Sequence, residues 1–193
     1  SSLLDQSRVR AAAENLAMDH QEADAEALPF ANASFDNVVS TFGVMFAPNQ
    51  GKAASELIRV CKKGGKIGLA NWTPDGFIGQ LFKTVGRHVP PPAGVSSPAA
   101  WGTEAFLKEH FGSRVSKIDV TLRQFNFRYH SPEHWLDVFS TYYGPTLKAF
   151  AALDEAAGKS LRQDLERLIE RHNRATDGTM VVPSDYLEIV ISR

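Results

Sequence analysis

The carboxylate of Asp24 and the backbone N–H of Ala25 are suited by type and spacing to bind the edge of an adenine ring. Adenine presents an exocyclic amine, which needs an acceptor, and a ring nitrogen, which needs a donor. The carboxylate and the N–H supply one of each. Leu28 and Phe30 follow closely and would cover the ring face with apolar contacts. This acidic loop is therefore a candidate adenine site.

Two predicted strands flank this loop and would hold it at one edge of a sheet. The segment Met18–Ala23 has the length of a strand, and Phe35–Phe42 is apolar and β-prone. In an open α/β sheet, ligands bind beyond the carboxyl ends of the strands. Asp24 and Thr41 each lie at such an end. We therefore expect both residues to face one ligand.

Helices and strands alternate through the first third of the chain. Apolar residues recur at helical spacing in Leu3–Leu16 and in Gln50–Cys61. The glycines of Lys62–Gly65 predict the end of the second helix, and a strand follows at Lys66–Trp72. Short connections between such elements are typical of a parallel sheet covered by helices.

The second half of the chain begins with a helix and a proline-rich connector. The connector, Val89–Pro98, predicts an extended surface loop near the site. Capping residues at Thr103 and Ser131 each predict the start of a helix. The predicted elements of this half are helices at Gly76–Val89, Thr103–Phe111, Ser131–Tyr143 and Ser160–Arg174 and strands at Val115–Tyr129 and Asp185–Ser192.

Composition favours a small or neutral partner over nucleic acid or a membrane. The 193 residues include 21 basic and 22 acidic side chains, for a net charge of −1. No apolar stretch is long enough to span a bilayer. The single cysteine, Cys61, forms no internal disulfide and has no partner at metal-ligand spacing, so we expect a cytoplasmic protein without a metal site. The oligomeric state stays open, a homodimer included.

Three motifs in the first third resemble one family in their order and approximate spacing. They are Asp-Ala-Glu-x-Leu-Pro-Phe from Asp24, Ser-Phe-Asp-x-Val from Ser34 and Arg-Val-x-Lys-x-Gly-Gly from Arg59. Each motif alone is weak, but together they are specific. The sequence resembles the second half of a class I S-adenosylmethionine-dependent methyltransferase of the small-molecule, methyltransferase-11-like type.

The resemblance implies an α/β fold with a Rossmann-like, doubly wound, mostly parallel sheet. The last strand would be antiparallel and would pair with the preceding strand at one sheet edge. A helical lid would be inserted between these two strands. The implied units are residues 1–72 as the second half of the cofactor core, 73–130 as connector, helix and edge strand, 131–179 as acceptor-binding lid, and 180–193 as final core strand.

The resemblance also assigns cofactor contacts. Asp24 would accept from the adenine amine of S-adenosylmethionine, and the N–H of Ala25 would meet the ring nitrogen. Thr41 and Phe42 would lie beside the methionine part.

The opening helix completes these implied contacts. Leu3 or Leu4 would touch the other side of the adenine. In the family, a glycine-rich loop, an acidic ribose-binding residue and the first strands come before the segment that this sequence resembles. We therefore expect the natural protein to extend before Ser1.

Four aromatic residues are the predicted acceptor contacts. Trp101, Trp135, Phe139 and Tyr142 would cover an apolar ligand under the lid. Their helical spacing is also that of ordinary core residues, and a core role is the simpler interpretation for the two tryptophans and the phenylalanine.

Methyl transfer is a direct displacement at the methyl carbon, so an enzyme mainly aligns the reactants and excludes water. A base is optional, and the sequence assigns no catalytic residue. The candidates for a base on the acceptor are His88, His130 and His134, each more often a packing or surface residue. Cys61 is interpreted as a core residue.

Two other functions are compatible with the sequence. One is a non-catalytic regulatory or assembly protein that keeps a methyltransferase-like fold. The other is a nicotinamide-dependent oxidoreductase, because the sheet type is shared. Against the second, the acidic loop does not follow the expected ribose-binding strand.

Overall fold

A computed structural model describes residues 3–193, so the first two residues of the predicted core unit lie outside it. Four strands form one sheet in the order β1-β2-β4-β3. The strands are β1 (Phe35–Thr41), β2 (Cys61–Trp72), β3 (Lys117–Tyr129) and β4 (Met180–Ser192).

Strand direction confirms the predicted sheet type. β1 pairs with β2 in parallel, and β4 pairs antiparallel with both β2 and β3. β1, β2 and β3 therefore run in one direction, and only the last strand is reversed. The predicted antiparallel pairing of the final two strands at one edge is confirmed.

Seven helices accompany the sheet in the described range. They are α1 (Leu3–Ala13), α2 (Gln50–Val60), α3 (Phe77–His88), α4 (Glu104–His110), α5 (Pro132–Tyr142), α6 (Gly144–Ala152) and α7 (Glu155–His172). Short 3₁₀ turns lie at Val44–Phe46 and Pro98–Gly102. None of the described helices is long and apolar enough to cross a membrane.

Capping side chains fix the helix starts that the sequence indicated. The Ser131 hydroxyl accepts from the N–H of His134, and Pro132 fills the first position of α5. Thr103 accepts from the N–H of Phe106 at the start of α4. These bonds satisfy backbone donors that the first turn of a helix leaves free.

The prediction of a strand at Met18–Ala23 is wrong. The segment contains no strand, and all of it except His20 is exposed. A strand requires a neighbour that pairs with its backbone, and the described part of the chain offers none here. A hydrogen bond joins the His20 ring of this segment to the Ser7 hydroxyl, 2.9 Å apart.

The glycines of Lys62–Gly65 do not end the preceding helix. α2 ends at Val60, and the chain turns into β2 at Cys61 without a connecting loop. Gly64 has a φ of +79°, and its N–H bonds to the Arg193 carbonyl. A Cβ on Gly65 would lie 2.5 Å from the Asp36 carbonyl. The glycines therefore permit an irregular strand entry beside β1.

The segment between β3 and β4 contains α5, α6 and α7, of which α6 was not predicted. Both α6 and α7 pack against α3. α5 packs against β3, α6 and α7. Leu161, Leu165, Leu168 and Ile169 form the buried face of α7. This helical layer lies where the predicted lid was expected in the chain.

A polar contact joins the helical layer to α3. His88 Nε2 lies 2.7 Å from a carboxylate oxygen of Asp164, and both side chains are mostly buried. The hydrogen bond from His88 is the main cause that lowers the pKa of the Asp164 carboxyl, and a second hydrogen bond from Arg167 lowers it further.

We expect Asp164→Ala to lower the free energy of unfolding by about 1 to 2 kcal/mol at neutral pH, because it removes a hydrogen bond of a charged group. A lowered folded-state pKa gives stability that is present above the ordinary value of 3.8 and lost as pH falls through the folded value. The difference between wild type and variant should therefore shrink below about pH 4. Urea unfolding across pH measures this, and a pH-independent difference would contradict it.

Candidate functional site

The Asp24 side chain shapes the loop in which it lies. Its Oδ1 accepts from the N–H of Glu26 at 2.8 Å, and its carbonyl accepts from the N–H of Ala27 at 3.0 Å. No hydrogen bond within residues 3–193 uses Oδ2 of Asp24 or the N–H of Ala25. The loop thus leaves one acceptor and one adjacent donor open, which fits the edge of an adenine ring.

The Leu-Pro-Phe part of the loop is held by α2. Arg59 donates to the Phe30 carbonyl at 2.6 Å and to the Leu28 carbonyl at 2.9 Å. Glu56 accepts from the N–H of Leu28 at 2.7 Å. The two α2 side chains also pair with each other through two bonds of 2.6 and 2.7 Å. We name Glu56 and Arg59 the α2 clamp.

The charges of the α2 clamp stabilise one another. The Arg59 guanidinium lowers the pKa of the Glu56 carboxyl, and that carboxylate raises the pKa of Arg59. The Glu56 side chain is 14% exposed and the Arg59 side chain is 30% exposed, so solvent screens this pair less than a surface pair. The residue prediction missed the clamp, although the spacing of an acid and an arginine three residues apart on a helix could have indicated the pair.

Thr41 and Phe42 lie at the carboxyl end of β1, as predicted. Thr41 is exposed. Phe42 has a φ of +59°, and its N–H bonds to the Ala70 carbonyl. Its ring stacks on Trp72 with centroids 4.1 Å apart and meets Tyr186 edge-on. A bulky residue in the left-handed region is uncommon and costs about 1 to 3 kcal/mol, so it often marks a functional position.

The opening helix is largely exposed. Only Ala11 is buried in α1, and Leu3 is 83% exposed. Leu4 is partly buried. Both leucines leave apolar surface that a ligand could cover, and their contact with adenine stays a prediction.

The predicted acceptor residues separate into buried and exposed ones. Trp101 and Trp135 are fully buried, and Phe139 is nearly so, whereas Tyr142 is 80% exposed. Trp101 packs against Phe106, while Trp135 stacks on Phe139 at 4.0 Å. The two tryptophans therefore belong to different ring clusters, and packing is what the structure shows for both.

The neighbouring Tyr143 carries a feature that Tyr142 lacks. Its hydroxyl is buried and has no hydrogen-bond partner in the described part of the chain. Its ring centroid lies 4.8 Å from that of Phe139 and 6.4 Å from that of Phe46. Burial raises the pKa of this phenol well above its ordinary value, which favours the protonated form that can donate a hydrogen bond.

The histidines considered as bases have other partners. His88 bonds to Asp164, and the rings of His130 and His134 stack 5.2 Å apart. Cys61 is buried, and burial raises its pKa, which disfavours the reactive thiolate. No catalytic base is therefore assigned.

A groove with a volume of about 760 Å³ lies beside the start of α2. Its lining includes Asn49, Gly94, Ser96 and His110. The connector that contains Gly94 and Ser96 was predicted to lie near the site. Glu26 joins the acidic loop to this groove, because its side chain accepts from the N–H of Asn49 at 2.6 Å.

Comparison with known sequences finds a family match in the first third of the chain. Residues 1–69 match a family model described as a methyltransferase domain. The uncharacterized protein Rv1405c of Mycobacterium tuberculosis is 37% identical over 180 residues, which cover 92% of this chain and 66% of that protein. The demethylmenaquinone methyltransferase of Deinococcus radiodurans is 32% identical over 109 residues, or 55% of this chain and 45% of that one.

Comparison with solved structures gives the fold. The BH2331 protein of Bacillus halodurans has a TM-score of 0.54 at 17% identity, covering 98% of this chain and 78% of that chain. The [4+2]-cyclase SpnF has a TM-score of 0.50 at 14% identity, and the match covers 98% of this chain and 61% of that chain. Because structures with such different names share this fold, the fold alone does not fix the reaction.

The chain spans 66% of the length of Rv1405c and 57% of that of the related Rv1403c of the same organism. The reversed last strand agrees with the fold that the sequence resemblance implies, and the acidic loop lies within the matched residues. Residues 1–69 match a methyltransferase domain, and the chain has the class I S-adenosylmethionine-dependent methyltransferase fold.

Proposed function

We propose that the protein transfers a methyl group from S-adenosylmethionine to a small-molecule acceptor. The observation that carries the proposal is the open acceptor and donor pair of the Asp24 turn, held by α2 in a chain of this fold. The family match over residues 1–69 supports the same cofactor.

Each residue of the site has a defined part in this proposal. Asp24 accepts from the adenine amine, and the N–H of Ala25 donates to the ring nitrogen. Thr41 and Phe42 border the methionine part at the end of β1. The bound cofactor supplies an electrophilic methyl carbon whose bond to sulfur breaks as the acceptor attacks. The protein's contribution is alignment and the exclusion of water.

The acceptor is placed under the layer formed by α5, α6 and α7. Tyr143 lies in this layer and contacts Phe46, which closely follows Phe42 in the chain. The aromatic rings around Tyr143 favour a planar ligand, and its free hydroxyl favours an acceptor that carries an oxygen. Relatives named as demethylmenaquinone methyltransferase and as a ubiquinone/menaquinone C-methyltransferase of Brucella anthropi support a ring of this kind.

Calorimetry on the full-length natural protein tests the cofactor assignment. We expect saturable binding of S-adenosylmethionine and of S-adenosylhomocysteine, together with a higher unfolding temperature. Absence of binding by both ligands would contradict the proposal. Binding without methyl transfer to any planar oxygen-bearing acceptor would favour the non-catalytic alternative.

The Tyr143→Phe variant tests the acceptor site without knowledge of the acceptor. The substitution keeps the ring and removes a buried hydroxyl that has no partner. We expect the free energy of unfolding to stay equal or rise by about 1 kcal/mol, because the desolvation penalty of an unpaired group is removed. Cofactor affinity should not change.

A loss of stability above about 1 kcal/mol in Tyr143→Phe would show that the hydroxyl has a structural partner. That result would contradict its role toward a ligand. The matched control is Tyr142→Phe, because Tyr142 is exposed and should change neither quantity.

A further inference from the structure

We propose that the α2 clamp, Glu56 and Arg59, positions the acidic loop so that Asp24 can recognise the amine of adenine and Ala25 its ring nitrogen. The inference rests on the proposed function. It makes Glu56 and Arg59 positioning residues of the cofactor site, although neither belongs to the adenine-binding edge itself.

The loop that follows Asp24 contains little regular structure of its own. Between Asp24 and β1, the structure shows an isolated bridge from Asp24 to Ala27 and then turns and bends. Backbone groups of such a segment must find partners elsewhere. Here the partners are α2 side chains, since the N–H of Leu28 and the carbonyls of Leu28 and Phe30 all bond to the clamp.

The guanidinium of Arg59 has the shape that this arrangement requires. It donates to two loop carbonyls, to the side-chain oxygen of Asn32 at 3.0 Å and to both oxygens of Glu56. A planar group with five donors satisfies these partners at once, whereas a lysine ammonium has three donors on one atom. Replacement by lysine would therefore keep the charge and release part of the loop.

Two anchors at α2 hold the chain directly after Asp24 and Ala25. Before it leaves the turn, the chain is held by Glu26, whose carboxylate accepts from the N–H of Asn49. Four residues after Asp24, the N–H of Leu28 is held by Glu56. The direction of the free Asp24 oxygen and of the Ala25 N–H is consequently fixed from α2. Loosening the second anchor should change how the turn reads adenine before it unfolds the protein.

Two ligands that differ only at the base edge provide the test. S-adenosylhomocysteine offers an amine and an unprotonated ring nitrogen, while S-inosylhomocysteine offers a carbonyl and a protonated nitrogen. The full-length wild type should bind the adenine ligand about tenfold to a hundredfold more tightly, as expected for hydrogen bonds of a charged group. In Arg59→Lys and Glu56→Gln this ratio should fall at least about fivefold toward equal binding.

The ratio distinguishes positioning from a general loss of structure. A variant that is merely less stable would bind both ligands less well and keep the ratio. The matched control is Lys62→Met, which removes an exposed bond to Asp36 at the start of β1 and leaves the loop contacts intact. This control should keep the wild-type ratio.

The outcomes are separable. An unchanged ratio in both clamp variants, with wild type still preferring adenine, would overturn the clamp proposal and leave the proposed function standing. Wild type that binds neither ligand would overturn both. A wild type that binds both ligands equally would also overturn the clamp proposal, because no base-edge recognition would exist to be positioned.

Discussion

Trp135→Ala should lower the free energy of unfolding by about 3 to 5 kcal/mol, the largest effect expected of any change considered for this chain. The indole is fully buried and stacks on Phe139 at 4.0 Å. It also meets Phe77 of α3 at 5.3 Å, so it joins the helical layer to the element beneath. Truncation would leave a cavity that two rigid rings cannot fill. Chemical unfolding of the purified variant measures the loss.

The comparison with Trp135→Phe separates packing from binding. Phenylalanine restores part of the volume and removes an indole N–H that has no partner in the described part of the chain. Its cost should therefore be well below that of alanine. A near-neutral Trp135→Ala that instead impairs acceptor binding would show that the indole borders the ligand, as the sequence prediction had it.

Local rules explain why the second half of the chain was largely predictable. At α5, a serine cap, a proline and a glutamate coincide within the residues Ser131–Glu133, and the helix begins there. The stripe of leucines in α7 likewise determines a helix, although the helix extends beyond the predicted start to Glu155. Such signals act over one or two turns, so no knowledge of tertiary contacts is needed.

Elements that depend on distant partners were not predictable in this way. Met18–Ala23 has the length of a strand, but strand formation requires a paired neighbour, and none is found in the described range. The glycines of Lys62–Gly65 resemble a helix stop, yet the pairing of β2 with β1 and β4 draws them into the sheet. In both cases tertiary pairing decided the local structure.

The candidate site shows the same division. Asp24 and Thr41 could be identified from their position at the ends of apparent strands, although of these two strands only the one that ends at Thr41 exists. The role of the α2 clamp depends on its bonds to a loop some thirty residues away in the chain, and no local sequence pattern indicates these bonds. The choice of Tyr143 over Tyr142 depends on burial at the end of α5, and two adjacent tyrosines carry no sequence signal for it.

Asp24→Ala should weaken cofactor binding about tenfold to a hundredfold while changing the fold little. A hydrogen bond to a charged group contributes roughly 1.5 to 3 kcal/mol, which gives that range of dissociation constants. Asp24 is exposed, and exposed loop substitutions usually change stability by less than about 0.5 kcal/mol. Calorimetry with S-adenosylhomocysteine and thermal unfolding of the full-length variant measure the two quantities separately.

Two further variants show which property of Asp24 matters. Asp24→Asn keeps an oxygen that can accept from the N–H of Glu26, so it retains the turn and loses only the charge. Its affinity for the cofactor should lie between those of wild type and Asp24→Ala. Glu22→Ala removes the same charge from an exposed position two residues earlier and should leave affinity unchanged. Equal losses in Glu22→Ala and Asp24→Ala would mean that general electrostatic attraction, not a hydrogen bond from adenine, explains the effect, and an unchanged affinity in Asp24→Ala would remove the adenine assignment altogether.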